Sequence, residues 1–448
     1  MSLSRRTVTG LITTSGHQFR DWSADYRLLA EERVDPEALF GVLRRGPLQD
    51  LPPEEPVLVA MDDTVSRKQG RHVPGTAWRR DPMSPPFQSN FVWGRRFIQL
   101  SAVLPSGGQD APGRAIPIDF VHAPTPQRPL RTAGDQAWAA FRQARREQSL
   151  TRQGVERVTR LRAAMDDEGA SARPLWVVAD GSYTNGTMLK RLPQATTMIG
   201  RVRCDAQLHR VPPPRAGGEK GRTRRYDAAT LTPEQVRTDE SVSWQTAAVY
   251  AAGSVHQMRY KTVGPVLWRA AGADLPLRLV VIAPLGYLRS SSSRKLYRQP
   301  AFLICTDPEA SPEVILKAYV SRWDIEVNLR DEKQLLGLDE AQVRTEASAR
   351  LAPALAVVSY AVVLLAATRA FGVTGCPVSL PRPKWRRCTP RPRASTADLL
   401  NHLRFELWGR AIATPHFSGF AATPTPTTTH EKPYPSLHAT LFYAQPRA

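Results

Sequence analysis

The residues most able to do chemistry lie in one stretch, Tyr319-Val-Ser-Arg322-Trp-Asp-Ile-Glu326-Val-Asn-Leu-Arg-Asp-Glu-Lys333. The stretch reads as a single helix, with Ser311 as N-cap, Pro312 at the first helical position and Gly337 as the stop. At roughly 100° per residue, Tyr319, Arg322, Glu326 and Lys333 fall within about 60° of one another, and Arg330 joins them. Val320, Trp323 and Val327 flank this stripe on one side, and Ile325, Leu329 and Leu336 on the other. Ser321, Asp324, Asn328, Asp331 and Glu332 take the opposite face. An amphipathic helix ordinarily has one polar and one apolar face; this one has two polar stripes. A single carboxylate among several cations suits phosphate: Arg forks two phosphate oxygens, Lys supplies a point charge, and Tyr stacks or donates. The bland alternative is a charged helix with internal salt bridges such as Glu326–Arg330.

Two further carboxylates end apolar strands. Val57-Leu-Val-Ala-Met61 runs into Asp62-Asp63-Thr64, and Leu175-Trp-Val-Val-Ala179 into Asp180-Gly181-Ser182-Tyr183. Neighbouring strand ends lie about 5 Å apart, and a helix packed on that edge can bring a third acid close. Three acids there cannot all stay ionised without a counter-charge. Hard divalent cations, Mg²⁺ or Mn²⁺, supply it through all-oxygen ligation. Two such ions about 3.5–4 Å apart would stabilise the attacking and leaving oxygens of an in-line phosphoryl displacement. Asp62 and Asp63 point to opposite faces of an extended strand, so the first ligand stays open between them. Either could instead cap the turn. Asp205 is an outside candidate, with a surface Asp at a strand end as the plainer reading.

These residues need a scaffold. Residues 1–52 read as a small helical region, a candidate for DNA binding, anchored by Phe19, Trp22, Leu28, Leu29, Leu39, Phe40 and Leu43. After Pro52 and Pro53 come the 57–61 strand, a basic stretch from Arg67 to Arg96, a hairpin of Phe97–Leu104 with Ala115–Val121 around Ser106, a helix over 133–167, and strands at 175–179 and 196–202. Residues 53–204 form the first part of an α/β core. Residues 205–305 read as a mostly β insertion domain, with short apolar runs at Leu277–Ile282 and Ala301–Cys305. Residues 306–375 resume the core with the catalytic-looking helix. A basic, proline-rich linker and a short helix opened by a Ser395–Asp398 capping box occupy 376–420, and a Pro/Thr-rich disordered tail 421–448.

Lys and Arg number 61 against 41 Asp and Glu, a formal net charge of +20 over 448 residues. That balance favours a polyanionic partner such as nucleic acid. Cys204, Cys305, Cys376 and Cys388 form no CxxC pair, which argues against a zinc ribbon or a disulfide framework and for reduced cytoplasmic thiols. The N-terminus lacks a signal peptide's hydrophobic region. Leu351–Thr368 carries no charge; it contains Pro353, Ser359 and Tyr360 and reads as a buried core helix with no membrane role.

The gaps in Tyr319, Arg322, Glu326 and Lys333 resemble the Y-R-E-K signature of bacterial insertion-sequence DDE transposases. The text around Asp62, the run Val178-Ala-Asp-Gly-Ser-Tyr183 and the run Ile199-Gly-Arg201-Val-Arg203-Cys-Asp205 are similar to that group's other motifs, so the likeness spans roughly residues 55–345. It implies a ribonuclease H-like mixed sheet flanked by helices and interrupted by the β insertion. It implies Asp62, Asp180 and Glu326 as catalytic ligands of two Mg²⁺ (or Mn²⁺) ions, with Asp63 in the variable position. It further implies cleavage at terminal inverted repeats of double-stranded DNA, a hairpin intermediate, and strand transfer into target DNA. Tyr319, Arg322 and Lys333 would bind the 5′-end backbone, with Arg330 on the same stripe but outside the signature. Trp244 and Trp268 are candidates for holding a flipped base, or else core tryptophans. A homodimer in the bacterial cytoplasm, on the nucleoid, completes the expectation. The alternatives are a silent or domesticated DNA-binding derivative and a ribonuclease H-like nuclease or resolvase.

Overall fold

The computed structural model describes residues 2–3, 5–81, 84–85, 87–105, 111–213, 224–251, 253–287, 294, 296–375 and 393–412. Helices α1 (Val8–Ser15), α2 (Ser23–Ala30) and α3 (Pro36–Asp50) open the chain. Thr7 caps α1 through the Gly10 amide, and Asp35 caps α3 through Glu37, with Pro36 at the first turn. Phe40 and Leu43 are buried as expected, but Phe19, Trp22 and Leu28 are exposed. Short helices bury one side at most, and α1 and α2 have too few turns to enclose these residues.

Strands β1 (Val57–Arg67), β2 (Ala77–Arg80), β3 (Phe91–Leu104) and β4 (Arg114–His122) follow. Then come α4 (Asp135–Glu147), α5 (Leu150–Asp167), β5 (Leu175–Ala179), α6 (Gly186–Leu189) and β6 (Thr196–Arg201). The 133–167 region is two helices, not the single one expected. Ser149 is extended, and the Gln153 side chain takes the Gln148 carbonyl at 2.7 Å, which lets α5 start afresh. The strand-rich stretch holds β7 (Leu208–Arg210), β8 (Thr230–Leu231), α7 (Pro233–Thr238), β9 (Gln245–Ala251), β10 (Ser254–Trp268), β11 (Gly272–Ile282), β12 (Gly286–Tyr287), β13 (Leu296–Tyr297) and β14 (Ala301–Cys305). Helices α8 (Pro312–Ser321), α9 (Trp323–Gln334), α10 (Glu346–Phe371) and α11 (Thr396–Ile412) close the described chain. The Ser395–Asp398 capping box is present, with Asp398 N donating to Ser395 Oγ at 3.2 Å and Ser395 N to Asp398 Oδ2 at 3.2 Å. The turn at Ser106, the 376–392 segment with Cys376 and Cys388, and the tail from 413 lie outside the described residues.

One mixed sheet runs in the order β2-β3-β1-β5-β6-β14-β11-β10-β7-β8, with β4 beside β3 and β9 beside β10. The β1–β5 and β5–β6 pairings are parallel, and β1–β3 is antiparallel. This large mixed sheet with helices against it is a ribonuclease H-like α/β fold. Most strands of 205–305 extend the same sheet, because β14 pairs with both β6 and β11, while β12 and β13 pair only with each other.

Alternation along the strands assigns the two faces. Val57, Val59, Met61, Val177 and Ala179 pack with Val158, Leu161 and Met165 of α5. On the other face, Ala60 meets Ile325 of α9, and Val178 and Ile199 meet Ile315 and Leu316 of α8. A fully buried aliphatic side chain contributes roughly 1.5–3 kcal/mol, so these contacts outweigh helix propensity in fixing where α8 and α9 lie. Helix α10 is long and apolar enough to cross a bilayer, yet Ala354, Val357, Tyr360, Ala361 and Leu364 pack with Phe40, Leu43, Phe97, Ile116 and Phe120. It is a core helix.

Candidate active site

Strand β1 does not stop at Met61. It continues to Arg67 against β3, so Asp62 and Asp63 lie within a strand and not at its end. What ends at Met61 is the parallel pairing with β5, where Met61 faces Ala179. The sheet therefore forks there, and Asp180, the residue that follows β5, is close enough for its charge to act on both Asp62 and Asp63. The hydroxyl and amide of Ser182 both donate to Asp180 Oδ1, at 2.6 and 2.9 Å, and Thr184 Oγ1 donates to the Asp180 carbonyl at 2.8 Å. A Cβ on Gly200 of β6 would come within 2.1 Å of that Thr184 hydroxyl oxygen. Only glycine lets the loop after Asp180 close onto β6.

The two adjacent aspartates face opposite ways. Asp62 lies on the face covered by α9. Asp63 lies on the α5 face, where Tyr183 Oη donates to its Oδ1 at 3.2 Å and Arg96 Nε lies 3.0 Å from its Oδ2. Burial pushes the Asp62 carboxyl up to about 7, against the opposing pull of Arg322, with Asp180 and Asp63 adding to the rise. Burial also raises Asp63, partly offset by Arg96.

The expected single helix over 312–337 divides at Arg322. Arg322 N donates to the Tyr319 carbonyl at 3.3 Å and Ile325 N to the Arg322 carbonyl at 3.0 Å, a local tightening to i→i+3 spacing. The side chain at that joint bridges two acids far apart in sequence. Arg322 Nη1 lies 3.1 Å from Asp62 Oδ2, and Nη2 lies 2.7 Å from Glu326 Oε1. Its guanidinium also lies 5.9 Å from the centre of the Tyr319 ring. Lys333 turns inward and donates to the Val65 carbonyl of β1 at 3.0 Å; burial lowers its pKa. Arg330 is exposed and donates to its neighbour Asp331. Glu326 pairs with Arg322, not with Arg330.

The stripe opposite the cations is not a solvent face. Asn328, Asp331 and Glu332 are buried, while Trp323 is 55% exposed. Asn328 Nδ2 donates to Ser101 Oγ at 3.3 Å and to the Ala115 carbonyl at 3.0 Å, and Tyr360 Oη donates to Asn328 Oδ1 at 3.0 Å. Gln99 Nε2 donates to Glu332 Oε1 at 2.9 Å. Gln99 is the cross-strand partner of Asp62. Helix α9 is thus fastened by its polar underside to the strand next to the aspartates, and its other polar stripe is turned over them.

Of the two tryptophans, Trp244 has Arg259 at 5.1 Å and Lys261 at 4.8 Å over its ring. Trp268 lines an open cleft of about 1040 Å³ with Gly181, Arg201, Arg203 and Arg237. That cleft opens beside the Asp180 loop. Asp205 is exposed there and paired with Arg203 at 2.9 Å. Cys204 and Cys305 are free thiols.

A family model described as DDE superfamily endonuclease matches residues 1–269. The chain belongs to the DDE superfamily endonucleases. No curated protein matches it. The match includes Asp62 and Asp180 and stops short of Glu326. DDE superfamily endonucleases act on DNA and generally use divalent metal ions.

Asp62, Asp180 and Glu326 carry carboxylate oxygens, the donor type such ions prefer. Among the described residues no three His, Cys, Asp or Glu side chains are gathered closely enough to hold a metal. Arg322 instead supplies positive charge between Asp62 and Glu326. Gln99, Tyr183 and Arg96 escaped the sequence reading. Gln99 had a visible signal, an amide inside the apolar run Phe97–Leu104. Arg96 had none, because only the strand register turns it toward Asp63.

Proposed function

We propose that this endonuclease is a transposase of the Y-R-E-K group. It cleaves the terminal inverted repeats of its element and joins the freed ends to target DNA. Asp62, Asp180 and Glu326 would hold divalent cations, Mg²⁺ or Mn²⁺ and two per site, which when bound stabilise negative charge on the phosphate oxygens. Asp62 is preferred to Asp63 because it shares a face with Asp180 and α9, whereas Asp63 is engaged by Tyr183 and Arg96. The observation that carries this reading is the bridge Asp62–Arg322–Glu326, which joins acids of β1 and α9.

Water adds to the phosphorus at the element's end, the P–O3′ bond breaks, and a 3′-OH and a 5′-phosphate result. The 3′-OH then attacks a phosphorus of the opposite strand, giving a hairpin, or of target DNA; in either case the P–O3′ bond there breaks and its 3′-OH is released. Arg322, freed from the acids, turns to the 5′ phosphate with Tyr319 and Lys333, and Arg330 reaches outward from the same helix. Trp268 is the better-placed acceptor for a flipped base, since it faces an open cleft, while Trp244 is covered by two cations. The same reading divides the chain at 52, 204, 305, 375 and 420, as the sequence suggests, and places a homodimer on paired ends.

Glu326→Gln tests the proposal. Divalent-cation-dependent cleavage of an end-bearing duplex should fall by at least 10²-fold, while retention of DNA in a gel-shift assay persists. Cleavage at the wild-type rate would remove Glu326 from the site and the reading with it.

A further inference from the structure

Helix α4 is an exposed helix, and none of its residues is buried. Trp138 and Phe141 make an edge-to-face pair on its half-buried side, with Arg128 over the Trp138 ring at 5.4 Å. At roughly 100° per residue, Arg142, Arg145 and Arg146 fall within an arc of about 100°. All three are exposed, and among the described residues none has a hydrogen bond or an ion pair. Arginines of the next helix behave differently: Arg157 and Arg160 are bound to Glu37, and Arg162 to Asp166.

The position of α4 gives these free charges a use. Its last turn leads directly into α5, whose second residue, Thr151, is tied to the loop that carries Asp180. Asn185 Nδ2 donates to Thr151 Oγ1 at 3.0 Å, and Thr151 Oγ1 donates to the Ser182 carbonyl at 3.5 Å. Arg152, next in sequence, is exposed and likewise without a partner among the described residues. Arg152, and through it the last turn of α4 with Arg145 and Arg146, are therefore joined by way of Thr151 to the loop that carries Asp180.

We infer that α4 is a DNA-docking helix, with Arg142, Arg145, Arg146 and Arg152 gripping the phosphate backbone of the duplex flanking the cleaved bond. The chemistry of that surface is sequence-independent: planar guanidinium forks for phosphate oxygens, with Glu147 off the arc and the exposed Asp135 two turns from Arg142 toward the start of the helix. The inference rests on the proposed function only for the place of the cut.

The test is the salt dependence of duplex binding by the full chain, with Arg142→Gln/Arg145→Gln/Arg146→Gln compared with wild type. Gln is a good helix former, and circular dichroism checks that α4 is kept. Each phosphate contact contributes about 0.9 to the slope of log affinity against log salt. The triple variant should therefore lose roughly 2 to 3 units of slope. Arg160→Gln, which removes a charge already paired with Glu37 and Glu156, should leave the slope unchanged. An unaltered slope in the triple variant overturns the inference, as does loss of a dimer in sedimentation with the slope intact, which would make α4 a contact between copies. Binding that shows the expected slopes in a protein that cuts no DNA would refute the transposase reading and leave the docking surface standing.

Discussion

Arg322 is the residue on which the site turns. A guanidinium between two carboxylates is a strong, directional pairing, and here it also helps to offset the cost of taking Asp62 out of water. Removing it should do two things. Arg322→Ala should reduce processing of an end-bearing duplex by about tenfold or more, while non-specific DNA binding falls by much less. Equal losses in both assays would make Arg322 a general phosphate clamp. Glu332 is the second residue of consequence. It is fully buried, and burial pushes its carboxyl up to about 8, with Gln99 pulling the other way. Glu332 Oε2 is buried without a hydrogen-bond partner. The unfolded chain titrates Glu332 near 4.5, so between that value and about 8 the folded state keeps a proton the unfolded state has lost. Stability from this group should fall as pH rises through that window and stay level above it. Glu332→Gln should flatten the curve and be the more stable form at pH 9, by an amount on the order of 3–5 kcal/mol. Unfolding temperatures measured from pH 4 to 9 decide it; parallel curves for the two proteins would mean that Glu332 is charged in the fold.

At the scale of elements, the site depends on how β4, α5 and α3 are joined. Asp119 of β4 is buried and accepts two hydrogen bonds from Arg157 of α5, each 2.6 Å, and Arg157 reaches Glu37 of α3 at 3.0 Å. Breaking such a pair from one side leaves a buried charge without a partner. Arg157→Ala should lower stability by about 3–5 kcal/mol, read as a drop in the urea midpoint. Replacing both partners with Leu should cost less than the single change; a double variant as unstable as the single one would show that shape, not charge, matters there. The same logic explains α9. Its polar underside holds the helix over the aspartates through hydrogen bonds to Ser101, Ala115, Gln99 and Tyr360, and those bonds fix a rotation that apolar packing alone would leave less defined.

For the whole molecule, the net charge of +20 is distributed unevenly in its use. Core-facing arginines are spent on structure: Arg79 and Arg95 are buried, Arg162 caps carbonyls of residues 170 and 173, and Arg173 holds the carbonyls of Leu48, Pro52 and Glu55. The unpaired ones on α4 and at Arg152 face outward. Net charge therefore overstates the surface available to DNA, and the salt slope of binding reports the outward fraction only. The sheet spans this molecule from β2 to β8 without a break, so the strand-rich stretch carrying Trp244 and Trp268 is coupled to the core through β14.

The sequence by itself determined the periodic features. The apolar runs at Val57–Met61 and Leu175–Ala179, helical structure around Tyr319–Lys333 and a buried helix at Leu351–Thr368 were all legible, because burial imposes a period of 2 or 3.6 on apolar residues wherever an element has a dry face. The tertiary structure decided everything that depends on register. Antiparallel pairing with β3 carried β1 past Asp62, parallel pairing with β5 brought Asp180 close enough for its charge to act on it, and alternation gave Asp62 to α9 and Asp63 to Tyr183. The polar stripe of Asn328, Asp331 and Glu332 is buried. Local sequence records only that a residue is polar. Whether its partner is water or a hydrogen-bonding group such as Gln99, supplied by a strand more than two hundred positions away, is settled by the fold.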